Sequence, residues 1–124
     1  KLKMIDEVKV SHGSILESNK IEMYDLAMVI GVLIHIAPKY LPLAYENIYR
    51  ATRRYILIGE YYSRQPEEVL YRGYQNKLFK RDFAGEMLDK YTDLRLVDYG
   101  FFYHKDESSK LDDITWFLME KADI

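Results

Sequence analysis

Apolar positions in this chain fall into short unbroken runs, one clearly periodic stretch and long polar connections, and each pattern predicts a different kind of element. Val8 to His12 is a short β-branched run that ends at Gly13, and Tyr24 to Ile30 is a longer one that ends at Gly31. Both predict buried parallel strands, which read as continuous aliphatic runs because both faces are covered. Between Pro38 and Arg53 the residues Leu41, Leu43, Ala44, Ile48 and Ala51 recur at helical spacing, with Glu46, Asn47, Arg50 and Arg53 interleaved. That spacing predicts an amphipathic helix packed on a sheet. Tyr55 to Gly59 is the next predicted strand, and Glu60, Tyr61 and Tyr62 lead out of it.

Ser63 to Lys80 shows no clean period, and Pro66 and Gly73 interrupt it. It is expected to be a long polar linker in which Glu67 to Tyr71 forms a turn of helix, and its length points to a functional loop. Phe83, Ala84, Met87 and Leu88 predict a second helix within Arg81 to Tyr91. Leu94 to Tyr103 and Ile114 to Glu120 then predict two strands joined by the polar segment HKDESSKLDD. A direct turn between them makes that pair antiparallel.

The chain of 124 residues predicts one domain, residues 1–124. Eighteen basic residues stand against twenty acidic ones, and the two signs are interspersed. No basic stripe points to a nucleic-acid backbone, so nucleic acid is not an expected partner. There is no cysteine, which removes disulfides, thiolate zinc sites and a cysteine nucleophile, and fits a reducing cytoplasm. No apolar run approaches the roughly 20 residues that span a bilayer, and the opening KLKMIDEVKV lacks the apolar core of a signal peptide. A soluble, cytoplasmic protein is expected, without a membrane partner.

The segments YDLAMVIGVLIHIAP, RYILIGEYY, YRGYQNKLFKRDFAGEMLDKY, LRLVDYGFFYH and DDITWFLMEK together resemble a small methyltransferase-like family associated with pseudaminic acid biosynthesis. The FKRDFAGEMLDKY and DDITWFL blocks are the specific ones, whereas the aliphatic strands are generic to α/β folds. The resemblance implies an α/β, Rossmann-like S-adenosylmethionine-dependent methyltransferase sheet lacking the N-terminal strand, glycine loop, helix and strand, and closing on a terminal antiparallel hairpin. It implies that Ile114 to Glu120 inserts between Tyr55 to Gly59 and Leu94 to Tyr103. The implied cofactor is S-adenosylmethionine, and the implied substrate is a small molecule, a nonulosonic sugar intermediate. No GxGxG loop occurs in the sequence, so the chain by itself is expected to bind that cofactor weakly or not at all.

Open sheets of this kind bind ligands at the carboxyl ends of their strands. On the resemblance, Ser14 and Ile15 would lie around the adenine, although a glycine-serine turn at a strand end is also an ordinary loop. Gly31, Val32 and Leu33 would line the cofactor's floor, where glycine admits a ligand close to the backbone; the other reading is a plain strand-to-helix turn. His35 offers an imidazole for proton transfer or a structural bond to a backbone carbonyl. Glu60 is the candidate base, or a charge paired with an arginine at the sheet rim. Tyr61 and Tyr62 follow it toward the reacting face.

Arg72 and Arg81 belong to a cluster with Tyr71, Tyr74, Lys77 and Lys80 that would suit an acidic sugar or pair with nearby acids. Tyr103, His104, Asp112 and Asp113 have no metal-ligand spacing, and no metal is expected. The strand Tyr24 to Ile30 would lie open along one edge. A homodimer closing that edge is expected, and a non-catalytic module assembling through it is the alternative to an enzyme.

Overall fold

The structure is a computed structural model that describes residues 8–71, 74–109 and 111–122, with the side chains of all of these except 71 and 74–77. Four strands form one sheet: β1 (Tyr24–Ile30), β2 (Thr52–Glu60), β5 (Leu94–Phe102) and β6 (Ile114–Lys121), in the order β1-β2-β6-β5. β1 and β2 are parallel, and β6 runs antiparallel to both neighbours. The insertion of the last strand between β2 and β5 is therefore as expected.

Helix α1 (Leu41–Ala51) makes the crossover from β1 to β2, and α2 (Phe83–Lys90) precedes β5. α1 starts with Pro42 inside its first turn, where a missing N–H costs nothing. α2 starts at Asp82, whose carboxylate accepts the Gly85 amide at 2.9 Å, a side-chain cap for an otherwise unpaired donor.

One core lies between the sheet and the two helices. The strands contribute Val29, Ile56, Ile58 and Met119, α1 contributes Leu41, Ala44, Tyr45 and Ile48, and α2 contributes Phe83, Ala84 and Met87. Register explains the selection: Val29 pairs with Ile58 and Ile56 with Met119, so these side chains share a face. The alternate residues of β1, Leu26, Met28 and Ile30, point to the other face and stay well exposed, Met28 by 60%.

Several expected elements differ. Val8 to His12 is not a strand; Val10 is 90% exposed. β propensity is realised only against a neighbouring strand and a packed face, and no described residue pairs with this run. The segment 63–80 is not a structureless linker, and Glu67 to Tyr71 is not helical. It contains the antiparallel hairpin β3 (Glu67–Tyr71) and β4 (Tyr74–Lys80). Val69 pairs with Leu78, and Leu78 is buried, because β4 packs on the turn that follows β1.

The α1 helix begins after a 3-10 turn, Pro38–Tyr40, and yields to strand already at Thr52. Thr52 is buried and donates its hydroxyl hydrogen to the Tyr24 carbonyl at 3.1 Å, which ties the start of β2 to the start of β1. Its β-branched side chain also favours the extended backbone found there.

Candidate functional site

β1 leaves the sheet at Gly31, whose φ of +70° lies in the left-handed region that glycine enters without steric cost. The Gly31 amide still donates to the Gly59 carbonyl at 2.9 Å. The chain then closes a short 3-10 turn, Leu33–His35, with Val32 as its cap. Glu60, the last residue of β2, sits against the start of this turn. Its Oε2 accepts the amides of Val32 at 3.1 Å and Leu33 at 3.0 Å, and its Oε1 accepts that of Ile34 at 3.4 Å.

Glu60 is only 3% exposed. Burial pushes its pKa up to about 7, against the pull of the Leu33, Val32, Ile34 and Gly31 amides toward the ionised form.

The same turn floors a cavity of about 740 Å³, lined by residues 13–16 on one side and by residues 28–32, His35 and Ile36 on the other. The opposing wall is held by Asn47 of α1, a buried side chain that donates its Nδ2 hydrogen to the Ile15 carbonyl at 2.7 Å. Ser14 closes the local turn, its hydroxyl oxygen accepting the Leu16 amide at 3.1 Å. Ile15 and Leu16 pack against the core.

Ser14, Ile15, Gly31 and Val32 thus meet around one cavity, and His35, an exposed residue, lines it with them. Leu33 does not line it. Its side chain is fully buried in the core, and its backbone amide faces Glu60.

Tyr61 and Tyr62 line a second cavity of about 560 Å³ between the hairpin and the segment entering β6, together with Leu78, Lys80 and Phe101. Tyr61 donates its hydroxyl hydrogen to Asp112 at 2.6 Å. That bond and the Asp113 amide hold the Asp112 carboxyl below its usual range. Lys80 Nζ stands 5.7 Å from the centre of the Tyr61 ring, within cation–π reach.

Arg81 lies at a narrow cleft of about 10 Å³ shared with Glu60, Tyr61 and Tyr62. Its Nε contacts Glu86 at 2.6 Å, and Glu86 also accepts the Tyr45 hydroxyl at 2.7 Å. Burial and that carboxylate push the Tyr45 phenol far above its ordinary value. Arg72 lies outside the described residues, as do the side chains of Tyr71, Tyr74 and Lys77. Among the described residues no group of three or more histidine, aspartate or glutamate side chains is placed to hold a metal ion, and no helix is long and apolar enough to cross a membrane.

Asn47 is the site residue that sequence periodicity misplaced. It falls among the polar positions of α1, yet it is turned inward, where a buried amide must find a partner. The residues gathered around Glu60 lie 26 to 28 positions away in sequence, so no local pattern marks that contact.

No family model and no curated protein matches the chain at the level of sequence. Its fold is that of S-adenosylmethionine-dependent methyltransferases. A 1,6-didemethyltoxoflavin-N1-methyltransferase of Burkholderia thailandensis, solved with 1,6-didemethyltoxoflavin and S-adenosylhomocysteine, superposes with a TM-score of 0.68 at 16% identity. The match covers 88% of this chain and 48% of that one. A methyltransferase of Leishmania major gives 0.61 at 13% identity, covering 86% and 43% of the two chains. One from Methanosarcina mazei gives 0.61 at 7%, covering 89% and 65%. The chain therefore spans about half the length of the first of these structures, and the likeness is one of fold.

Proposed function

We propose that this chain is part of an S-adenosylmethionine-dependent methyltransferase acting on a small molecule, with the cofactor in the cavity at the end of β1. The observation that supports this most directly is the position of that cavity. Gly31 and Val32 floor it at the carboxyl end of a parallel strand, where open α/β sheets take ligands. Ser14 and Ile15 would meet the adenine, and Leu33 would contribute only through the core beneath the floor.

S-adenosylmethionine supplies an electrophilic methyl group, which passes to an acceptor atom while the sulfonium sulfur keeps the electrons of the broken bond. What the protein must add is alignment, and a proton acceptor where the attacking atom is a hydroxyl or amine. His35 lines the cavity and would take that role. Tyr61 and Tyr62 would receive the acceptor in the second cavity, beside Glu60 and Arg81 at the cleft. The resemblance carried by FKRDFAGEMLDKY and DDITWFL favours a nonulosonic, pseudaminic-type sugar as the acceptor, its apolar face against the tyrosine rings.

The test is a titration of the ¹⁵N-labelled chain with S-adenosylhomocysteine followed by NMR. Binding in the millimolar range is expected, with shifts concentrated in residues 14–16 and 31–36. Unperturbed spectra at millimolar ligand, or shifts confined to the hairpin, would overturn the reading. Micromolar affinity would show the site to be more complete than a chain without a GxGxG loop should allow.

The unpaired side of β1 supports a homodimer. Leu26, Met28 and Ile30 are exposed beside a row of backbone groups that no described residue pairs, and a long apolar edge is normally covered. Sedimentation velocity at micromolar concentration should show a dimer that Met28→Lys converts to monomer. A monomeric wild-type chain would reject it.

A further inference from the structure

We propose that Glu60 is a positioning residue for the cavity at the end of β1: as a hydrogen-bond acceptor for the Val32, Leu33 and Ile34 amides it fixes the turn carrying Gly31, Val32 and His35. The inference rests on the reading of that cavity as the cofactor site for its meaning, but not for its test. A general base must reach its substrate, whereas Glu60 is 3% exposed and its carboxyl is directed at backbone amides.

The two oxygens are used unequally. Oε2 takes both shorter bonds, from Val32 at 3.1 Å and Leu33 at 3.0 Å, and Oε1 takes only the long one from Ile34 at 3.4 Å. A neutral acid with its proton on Oε1 keeps both shorter bonds through its carbonyl oxygen. The turn therefore needs an acceptor at position 60 rather than a charge, in keeping with the upward pull of burial on this carboxyl.

The ionisable groups around it are Tyr61, Tyr62 and Arg81 at the adjoining cleft and His35 on the turn itself, with Lys80 of β4 beyond, over the Tyr61 ring. β6 and α2 present Thr115, Phe117, Phe83 and Ala84, none of which titrates. Arg81 is engaged by Glu86. Burial and backbone amides are the influences that govern the carboxyl.

The experiment follows the backbone amides of residues 32–34 in the ligand-free chain, so its outcome is independent of methyl transfer. Glu60→Gln keeps a carbonyl oxygen where Oε2 stands and should leave amide hydrogen exchange at residues 32 and 33 within about threefold of wild type, whereas its amide nitrogen cannot accept at the Oε1 position and Ile34 loses its long bond. Glu60→Ala leaves the same donors without an acceptor, and their exchange should quicken about tenfold or more. In the wild type, the three amide resonances should titrate together with one midpoint near 7. That titration should vanish in Glu60→Gln and persist in His35→Gln.

Unchanged protection in Glu60→Ala would overturn the proposal. So would a titration that disappears in His35→Gln and survives in Glu60→Gln. If Glu60→Ala does not fold, the wild-type, Glu60→Gln and His35→Gln spectra still decide.

Discussion

Between pH 4.5 and about 7 the unfolding free energy of this chain is expected to fall by about 3 kcal/mol, because burial raises the Glu60 carboxyl from its ordinary 4.5 to about 7. The direction follows from proton counting. Below pH 4.5 the group is protonated in both the folded and the unfolded chain, and its contribution is fully present. Between the two values the folded chain keeps a proton that the unfolded chain has released, so each step up in pH favours unfolding. Above pH 7 both states are ionised and no further loss occurs from this group.

Asp106, Asp112 and Asp113 are shifted the opposite way, by the Ser108 hydroxyl, the Tyr61 hydroxyl and His104 respectively. Their stabilisation is lost as the pH falls through their lowered folded values, outside the Glu60 window. Urea denaturation of the wild type and Glu60→Gln across pH 4.5 to 8 isolates the effect, since the glutamine carries no titrating proton. The two curves should diverge by roughly 3 kcal/mol, a sizeable part of the 5–15 kcal/mol typical of a domain. Parallel curves would show that Glu60 does not retain a proton in the fold.

The features legible in the sequence are those fixed by local periodicity. The aliphatic runs of β1 and β2, the helical spacing of α1 and α2 and the polar turn before β6 each predict an element whose centre lies where the structure has it. The hairpin β3–β4 escaped because its apolar residues do not alternate with polar ones. Val69 and Leu78 face each other, but Leu70 and Phe79 stand next to them in sequence, and apolar residues at adjacent positions hide a period of two. The run Val8 to His12 erred in the other direction: a β-branched pattern gives a strand only where a partner edge exists. Gly31 and Val32 could be named because a strand end followed by glycine has a known place in such sheets, whereas Ser14 and Ile15 rest on the family resemblance and not on the expected strand before them. Leu33 could not be separated from Val32 in this way, since one step around the turn moves a side chain from cavity to core.

Met119→Ala is expected to destabilise the chain by about 2–5 kcal/mol, the range for emptying a fully buried side chain in a core that relaxes only in part. Met119 is 0% exposed, faces Ile56 on β2 and Leu96 on β5, and belongs to the same buried cluster as Phe83 and Met87 of α2. That burial exists only because β6 is inserted between two strands under the helix layer. At the sheet's edge one flank of the same residue would face water, and truncation would cost far less. Val97, half exposed at the irregularity where β5 slips register against β6, supplies the contrast: Val97→Ala should stay within about 0.5 kcal/mol, as surface substitutions usually do. In urea the Met119→Ala midpoint should drop with little change in slope, since the surface exposed on unfolding is nearly the same. A loss below about 1 kcal/mol at Met119, or equal losses at the two positions, would remove β6 from the centre of the sheet. The likeness of fold to the methyltransferases would fall with it.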